Sequence, residues 1–345
     1  MTAGTAVGKG REAARSAAMT IVLVVVAASV IACGLLVGAR PLSPHALLPA
    51  LFWPDGKIDS ILVWTLRLPR SLAAWVGGAG LGVSGYLLQT LTRNPLAGPG
   101  LAGVTYGAVA PIVACFVFLP WLPSVYYPLV GTAGGFAAAL VTFWISHGGT
   151  GRPLHLALGG ISVSLFLGAV VTYVLILSGP QTTSLLFWLS GGFQGRSWVQ
   201  LEYMSVWVGV GALGALASHR VLGLLALSED AAAGMGLQLT LWKPLLLLFS
   251  VLPVAGIVSV AGPVAFVGLA APHIARLIKP DGPGWTIAIT ATLGGLMVAT
   301  ADIVARSIAA PRELPVGIIT ALIGGPVFIY LVQRSNFTST MGVER

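Results

Sequence analysis

The stretch that most constrains the fold is an uncharged run, residues 71–92, which is followed almost at once by a helix-breaking corner. About 20 apolar residues, rising 1.5 Å each, span the roughly 30 Å hydrocarbon core of a bilayer, so the run predicts one membrane crossing. Gly78 and Gly82 are four residues apart and share a helix face on which another backbone can approach closely. Pro95 disfavours a helical Asn94, which predicts that the crossing ends there and that the chain re-enters the bilayer tightly.

The composition of the 345-residue chain identifies an integral membrane protein with little mass outside the bilayer. Hydrophobic residues make up 56% and charged residues 8%, against roughly a quarter charged in soluble domains, and the mean hydropathy is +0.93. The net charge of +8 does not indicate nucleic-acid binding, because the basic residues form no cluster. Cys33 and Cys115 lie inside apolar runs at no metal-ligand spacing, so we interpret them as small buried residues without redox chemistry.

Uncharged runs separated by charges, prolines and glycines predict ten transmembrane crossings and an all-α fold. Residues 94–151 fit two crossings, whereas residues 153–195 fit one crossing and a short re-entrant or surface helix at 182–190. Residues 244–275 are interpreted as a hairpin of two short crossings, the second interrupted by Pro272. The other five crossings are predicted near residues 20–39, 71–92, 198–218, 282–301 and 314–333.

The distribution of basic residues favours an N-terminus in the cytoplasm. With ten crossings both termini lie on the same side, and this orientation places eleven of the 18 basic residues inside and seven outside, as the positive-inside rule favours. The seven outer residues then need a separate explanation: Arg40, Lys57, Arg67, Arg70, Arg196, Arg306 and Arg312.

The long polar interruption in the second half, residues 220–242, predicts a short helix outside the membrane. Ser228 is a typical N-cap residue, and Glu229 and Asp230 would occupy the first turn, where the helix dipole favours acids. Gly236 is a typical C-terminal stop. A solvated loop is the alternative interpretation.

The chain contains no motif for nucleotide or metal chemistry. It has no G-x-x-x-x-G-K-[ST], so it cannot hold a nucleotide by itself, and ATP with Mg²⁺ would be bound by a separate ATPase chain. The five histidines are dispersed, so neither a metal site nor a bound cofactor is expected. Asp302 comes closest to the buried acid of an ion-coupled carrier, but Arg306 lies one turn later and predicts an ion pair instead.

Two similar segments, AGPGLAG at Ala97 and AGPVAFVGLA at Ala261, each open a crossing after a break. Under the predicted topology the two helices run in opposite directions, as inverted repeats require. Chance similarity in a glycine-rich chain is the equally supported alternative.

Three groups of motifs resemble one family of membrane proteins in the same order along nearly the whole chain. They are R-L-P-R with L-L-Q and R-N-P-L-A-x-P-G-L-x-G in residues 67–103, V-A-G-P-V-A-F-V-G-L-A-A-P-H-I-A-R in residues 260–276, and A-D-I-V-A-R with E-L-P-V-G-I-I-T-A-L-I-G-G-P-V-F in residues 301–328. The chain is thereby similar to the permeases of iron-chelate and vitamin B12 importers, the membrane subunits of one class of ABC transporter. The resemblance implies one permease domain over residues 1–345, with about ten transmembrane helices, that dimerises around a path at the subunit interface.

The resemblance also implies three sets of functional residues. Family arginines dock glutamates of a periplasmic binding protein, which assigns this role to Arg67, Arg70 and Arg306; anchoring at the lipid headgroups is the alternative. The short helix becomes the element that contacts the ATPase, through Ser228, Glu229, Asp230, Ala231, Gly234 and Gly236. The path and its cytoplasmic gate are assigned to Asn94, Pro95, Leu96, Gly159, Gly160, Gly324 and Gly325, and a second constriction maps near Pro153 and Leu154, where this sequence lacks the family's small polar residues.

The implied assembly lies in a bacterial inner membrane. It contains membrane lipid, a second copy of the chain or a homologous permease, two cytoplasmic ATPases and a periplasmic binding protein, but no nucleic acid. We expect an iron chelate, a ferric siderophore or ferric citrate, as cargo, with cobalamin second and haem third. An ion-coupled secondary carrier is the alternative from another class. The motifs leave open which chelate is carried and whether the dimer is homodimeric or heterodimeric.

Overall fold

The computed structural model describes residues 2–38, 40–147, 153–310 and 312–340, and within these ranges the chain is helical and has no β-strand. Side chains are not described for residues 2–10, 147, 153–154, 328 and 330–340. The α-helices in chain order are α1 Thr2–Leu36, α2 Pro44–Phe52, α3 Ile58–Ile61, α4 Leu68–Thr92, α5 Val104–Phe118, α6 Tyr127–His147, α7 Pro153–Leu177, α8 Thr182–Leu189, α9 Trp198–Ala217, α10 His219–Leu225, α11 Glu229–Gly234, α12 Leu239–Ala261, α13 Val267–Leu277, α14 Gly282–Ile308 and α15 Val316–Thr340.

The described helices account for about ten membrane-crossing segments, which confirms the predicted fold class. Two shorter apolar helices, Val104–Phe118 and Val316–Val327, join seven that are long and apolar enough to cross a bilayer. The 11-residue helix α13 lies at the position of the remaining predicted crossing. The seven long segments are Arg11–Leu36, Ile58–Thr92, Ser124–Ser146, His155–Leu177, Trp198–Ala217, Leu239–Ala261 and Gly282–Ile308.

The interval predicted as a hairpin of two short crossings is divided unequally, because the first crossing is full-length and only the second is short. α12 has 23 residues and is a full crossing that contains Pro244 and Pro253, whereas α13 has only 11. At 1.5 Å per residue α13 covers roughly 16 Å, about half of the hydrocarbon core. The reason is that α12 begins before Pro244, at Leu239, and ends only at Gly262, whose φ of 72° breaks the helix.

The second crossing also begins earlier than predicted. The helical path starts at α3 and passes through a π-helical turn, Leu62–Arg67, into α4 without a break. Pro69 does not interrupt it, because it lies in the first turn of α4, where a missing amide hydrogen costs little.

The centre of the fold is α4, which is buried along most of its length between α9, α12, α13 and α14. A β-carbon added at Gly78 would lie 2.2 Å from the carbonyl oxygen of Gly294 in α14, and one added at Gly82 would lie 2.6 Å from that of Thr290. The predicted close-packing face is therefore confirmed, and α14 is the helix that occupies it.

The predicted corner after α4 is also confirmed. Arg93 adopts a left-handed conformation with φ of 50°, and the side-chain oxygen of Asn94 accepts a 2.9 Å hydrogen bond from the amide of Leu96, as in an Asx turn. The chain then passes through Gly103, with φ of 77°, into α5. These local turns reverse the chain within about ten residues, which is the tight re-entry expected.

Candidate functional site

Arg67, Arg70, Asp302, Arg306 and Glu313 form a buried ionic group, here called the arginine cluster, at the end of the bundle predicted to face outward. Asp302 is fully buried, and its Oδ1 accepts hydrogen bonds from Arg70 Nε at 3.0 Å and Nη2 at 2.9 Å. Its Oδ2 lies 2.9 Å from Arg306 Nη2. The remaining nitrogen of Arg70, Nη1, donates to Glu313 at 2.7 Å. The cluster thus joins α4, α14 and the segment before α15.

Two arginines of the cluster also hold the C-terminal end of α1. Arg306 Nη1 donates to the carbonyl of Gly34 at 3.0 Å, and Arg67 donates to the carbonyl of Leu35 at 2.6 Å and to that of Arg40. The last carbonyls of a helix lack partners within it and carry partial negative charge. The two guanidinium groups therefore cap α1 and fix it against α4 and α14.

Arg67, Arg70 and Arg306, which are expected to dock acids of a binding protein, are buried in this structure, and that role stays a prediction. Their exposed fractions are 6%, 7% and 4%, and their nitrogens are directed to acids and carbonyls of the same chain. Neither a partner's carboxylate nor a lipid headgroup reaches them in this conformation. The predicted ion pair between Asp302 and Arg306 is confirmed, but it is one part of a larger cluster that includes Glu313, which sequence reasoning missed.

A cavity of 860 Å³ lies where α5, α13 and α15 begin and α8 ends. Gly98 and Pro99 of the first AGP segment and Pro263 and Phe266 of the second both border it. None of the described residues that line it is charged, and the described part of the chain has no group of three His, Cys, Asp or Glu side chains able to hold a metal ion. The cavity can therefore admit a large solute without binding it through charges.

Phe266 is the most unusual residue of this cavity wall, and sequence reasoning missed it. It adopts a left-handed conformation, with φ of 68°, at the first turn of α13, which bulky residues rarely adopt. A β-carbon added at Gly324 in α15 would lie 2.5 Å from the β-carbon of Phe266. The strained backbone thus presses the phenylalanine side chain against α15. No local pattern marks such a residue, since glycine or asparagine is the usual choice there.

The four path glycines are located in helix packing rather than on the cavity wall. A β-carbon added at Gly160 would lie 1.8 Å from the carbonyl oxygen of Leu101, and Gly159 and Gly160 are buried. Gly324 is covered by Phe266, and Gly325 lies beside the same ring. Gly160 and Gly324 therefore serve close packing, whereas a β-carbon at Gly159 or Gly325 would make only ordinary contacts, at 3.4 Å and 3.9 Å. The assignment of these glycines to the path stays a prediction.

The cytoplasmic-gate residues lie at the corner after α4. Asn94 and Leu96 are partly exposed and Pro95 is exposed, and none of them borders the cavity. Their role as a gate stays a prediction. Pro153 and Leu154, the second constriction, lie outside the residues whose side chains the structure describes.

The short helix predicted in the polar interruption is present as α11. The Ser228 hydroxyl accepts a 2.9 Å hydrogen bond from the Ala231 amide, Glu229 and Asp230 occupy the first turn, and Gly236 follows the helix with φ of 85°. The N-cap, the acids and the stop are therefore confirmed as structural features, and Ala231 and Gly234 lie within the helix.

The surroundings of α11 leave it accessible and connect it to the transmembrane core. Leu227 and Met235 are exposed beside it, with fractions of 69% and 54%, while Lys243 at the start of α12 pairs with Glu229. At the end of α10, the Leu225 carbonyl accepts a 3.4 Å hydrogen bond from Arg93. The segment is therefore connected to α12 by an ion pair and to the corner that ends α4 by a hydrogen bond.

Comparison with known proteins gives a consistent result along nearly the whole chain. The model of the FecCD transport family matches residues 6–334. The Fe(3+)-citrate import system permease protein YfmD of Bacillus subtilis (strain 168) is 36% identical, over 87% of this chain and 90% of its own length. The achromobactin transport system permease protein CbrC of Dickeya dadantii (strain 3937) is 37% identical, over 93% and 91%. The Fe(3+) dicitrate transport system permease protein FecD of Escherichia coli (strain K12) is 34% identical, over 92% and 99%.

Among solved structures, one described as a metal-chelate type ABC transporter in an inward-facing conformation has a similar fold. Its TM-score is 0.78 at 28% identity, and the match covers 92% of this chain and 99% of the other.

Proposed function

The chain belongs to the FecCD transport family, and from this premise we propose that it is the membrane permease of an ATP-driven importer of iron chelates. The observation that carries the proposal is the match over residues 6–334, together with relatives that are permeases for ferric citrate and achromobactin. A permease of this family is a multi-pass membrane protein and not an enzyme, so a separate chain hydrolyses the ATP.

We propose that α11 is the segment that contacts the ATPase and that the chain itself holds neither nucleotide nor cofactor. Three features support this role. The helix is capped independently of the bundle, it exposes Leu227 and Met235, and it is joined to α4 through Arg93 and Leu225. Exposed apolar side chains on a polar segment outside the bilayer are typical of a contact surface.

Deleting residues 231–236, or replacing Glu229 and Asp230 by lysine, is expected to abolish ATP-driven uptake of ferric citrate while the protein still inserts. The reason is that the ATPase then loses the surface through which its motion reaches α12 and α4. The measurement is uptake into proteoliposomes containing the permease, its ATPase and its binding protein, with ATP hydrolysis followed in parallel.

Glu12→Lys supplies the control, because it reverses the charge of one exposed acid near the same end of the bundle. Normal ATP-driven uptake by the deletion variant would refute the role of α11. Uptake of cobalamin but not of ferric citrate or a ferric siderophore by the unmodified protein would refute the proposed cargo.

We propose that the 860 Å³ cavity is part of the translocation path and that a second permease completes it. The cavity wall includes Ser164 of α7 and Leu322 of α15, and apolar side chains on these helices, such as Leu165, Phe166 and Leu322, are more than two thirds exposed. An uncharged wall would pass a chelate without retaining it, so specificity would reside mainly in the binding protein. The dimer is formed by two copies or by a copy and a homologue.

Phe266→Gly is expected to raise the ATP-independent leak of ferric citrate severalfold and to lower the amount of chelate moved per ATP. Glycine adopts the same left-handed backbone without strain, but it removes the ring that closes the cavity wall against α15. Leak of labelled chelate from loaded proteoliposomes measures the effect. Phe118→Ala, at an exposed phenylalanine away from the cavity, serves as the control, and an unchanged leak in Phe266→Gly would place the path elsewhere.

We propose that docking of a binding protein takes place at the same end of the bundle as the arginine cluster, although not on free arginines. Glu313 is the most exposed member of the cluster, with 36% of its side chain accessible. A carboxylate of the partner would contact Arg70 only by replacing Glu313. In this proposal Arg67, Arg70 and Arg306 remain the docking site, which becomes accessible when a carboxylate of the partner replaces Glu313.

We also propose an inner-membrane location with both termini in the cytoplasm, as the excess of basic residues on that side favours. The secondary-carrier alternative is not supported by the geometry. Both oxygens of Asp302 are occupied by Arg70 and Arg306, so this acid is not free to carry a proton. Continued uptake in ATP-loaded vesicles after addition of an uncoupler would agree with this conclusion.

A further inference from the structure

A second, smaller cavity contains an arginine that has no acidic partner among the described residues. Its volume is 110 Å³, and it lies between the outer ends of α5, α6, α8, α9 and α12. Arg196, in the turn before α9, is the only charged side chain among the described residues of its wall. The other polar lining residues are Ser124, Tyr127, Gln200, Tyr203 and Ser259.

Arg196 is partly buried; its Nε is buried without a hydrogen-bond partner, and its guanidinium group forms no ion pair within the described part of the chain. Burial lowers the pKa of Arg196, and the only opposing influence is the hydroxyl of Tyr203. A buried charge without a counter-ion is costly. This contrasts with Arg70 and Arg306, whose charges are neutralised by Asp302 and Glu313.

The other groups around the cavity offer mainly hydrogen-bond donors. The side-chain oxygen of Gln200 is occupied by the amide and hydroxyl of Ser197 in a capping box, which leaves its NH₂ group available. Tyr203 on α9 and Ser124 in the segment before α6 both line the cavity, so these two segments meet across it. A positive charge with amide and phenol donors is the chemistry that binds an anion.

We infer that Arg196, with Gln200 and Tyr203, binds a small monovalent anion from the surrounding solution, such as chloride, formate or acetate. The volume admits an anion of a few non-hydrogen atoms and excludes a whole iron chelate. This site is distinct from the transport path, because α8 separates the two cavities: Leu185 and Trp188 face the smaller one, and Leu189 and Ser190 face the larger. The bound anion neutralises Arg196 and fixes α8 against α9.

The test measures thermal unfolding of the purified full-length protein in nanodiscs. Chloride, formate or acetate is added at constant ionic strength, and the unfolding midpoint is compared with that in a buffer that contains only bulky organic anions. The unfolding midpoint of the unmodified protein should rise in a saturable way with each small anion. In Arg196→Gln this dependence should be lost. In the anion-poor buffer the variant should be at least as stable as the unmodified protein, because an unpaired buried charge has been removed.

Arg312→Gln is the control, since Arg312 is exposed on the same predicted side, and it should retain the full anion response. Tyr203→Phe keeps the charge of Arg196 and removes the phenol hydroxyl, which is one of the proposed donors. The half-saturating anion concentration of this variant should therefore rise severalfold. This measurement tests the inference even if Arg196→Gln does not fold. An equal anion response in Arg196→Gln, or no response in the unmodified protein, would overturn the inference. The inference would also be overturned if Arg196 raised the unfolding midpoint only when the binding protein was present, because a carboxylate of that partner would then occupy the site.

Discussion

Replacing Asp302 by asparagine is expected to destabilise the folded protein by about 3–5 kcal/mol, the cost of removing one partner from a buried ion pair. Asp302 is completely buried and is the shared counter-ion of Arg70 and Arg306. Without its charge, two guanidinium groups remain close together, with only Glu313 to offset them. The capping of α1 by Arg306 should weaken as well, since that side chain is held in position by the same carboxylate.

The measurement is denaturant or thermal unfolding of the purified variant, with the yield of monodisperse protein as a second readout. Asp59→Asn is the matched control, because Asp59 pairs with Arg40 at the surface and such pairs contribute at most about 1 kcal/mol. The double variant Asp302→Leu with Arg306→Met should regain part of the loss, since Arg70 keeps Glu313 and both unpaired groups are removed. Equal stability losses in Asp302→Asn and Asp59→Asn would contradict the buried cluster.

The second large effect is expected for Gly78→Ala, which should destabilise the bundle by about 3 kcal/mol, the upper part of the range for overpacking. The new methyl group would lie 2.2 Å from the carbonyl oxygen of Gly294. Neither backbone can yield locally, because Gly294 makes the reciprocal contact and a β-carbon there would lie 2.3 Å from the carbonyl of Gly78. The two helices therefore have to separate along the centre of the fold.

Gly209→Ala tests whether the effect is specific to the crossing. Gly209 lies within α9, and an added β-carbon there meets nothing within 4 Å, so this change should be neutral or slightly stabilising. The unfolding midpoints of the two variants, measured under the same conditions, show whether the loss of stability is specific to the crossing of α4 and α14. If Gly78→Ala and Gly209→Ala behaved alike, α4 and α14 would not be in backbone contact. Adding Gly294→Ala to Gly78→Ala should cost less than the sum of the two, since the helices have already moved apart.

Features encoded within a few neighbouring residues were predictable from the sequence. The uncharged runs determine which segments enter a membrane, because each backbone must satisfy its own hydrogen bonds there. The corner at Asn94 and Pro95, the close-packing face of Gly78 and Gly82, and the capped helix α11 follow from local backbone preferences. The family, and with it the class of cargo, followed from motifs that span the chain. Local rules failed at the hairpin after Leu239, where packing keeps α12 helical through Pro244 and Pro253.

Contacts between residues that are distant in sequence could be seen only in the three-dimensional structure. Arg70 and Asp302 are 232 residues apart, so no local pattern could reveal that an arginine expected at the surface is buried against that acid. The strain at Phe266, the packing role of Gly160 and the unpaired charge of Arg196 likewise depend on neighbours from other helices. The membrane segments and the family could be inferred from the amino-acid sequence alone, because those depend on hydropathy and on the order of motifs along one chain. Whether a charge or a glycine faces a partner, a cavity or another backbone is decided by helix packing, because burial depends on what surrounds a residue in space.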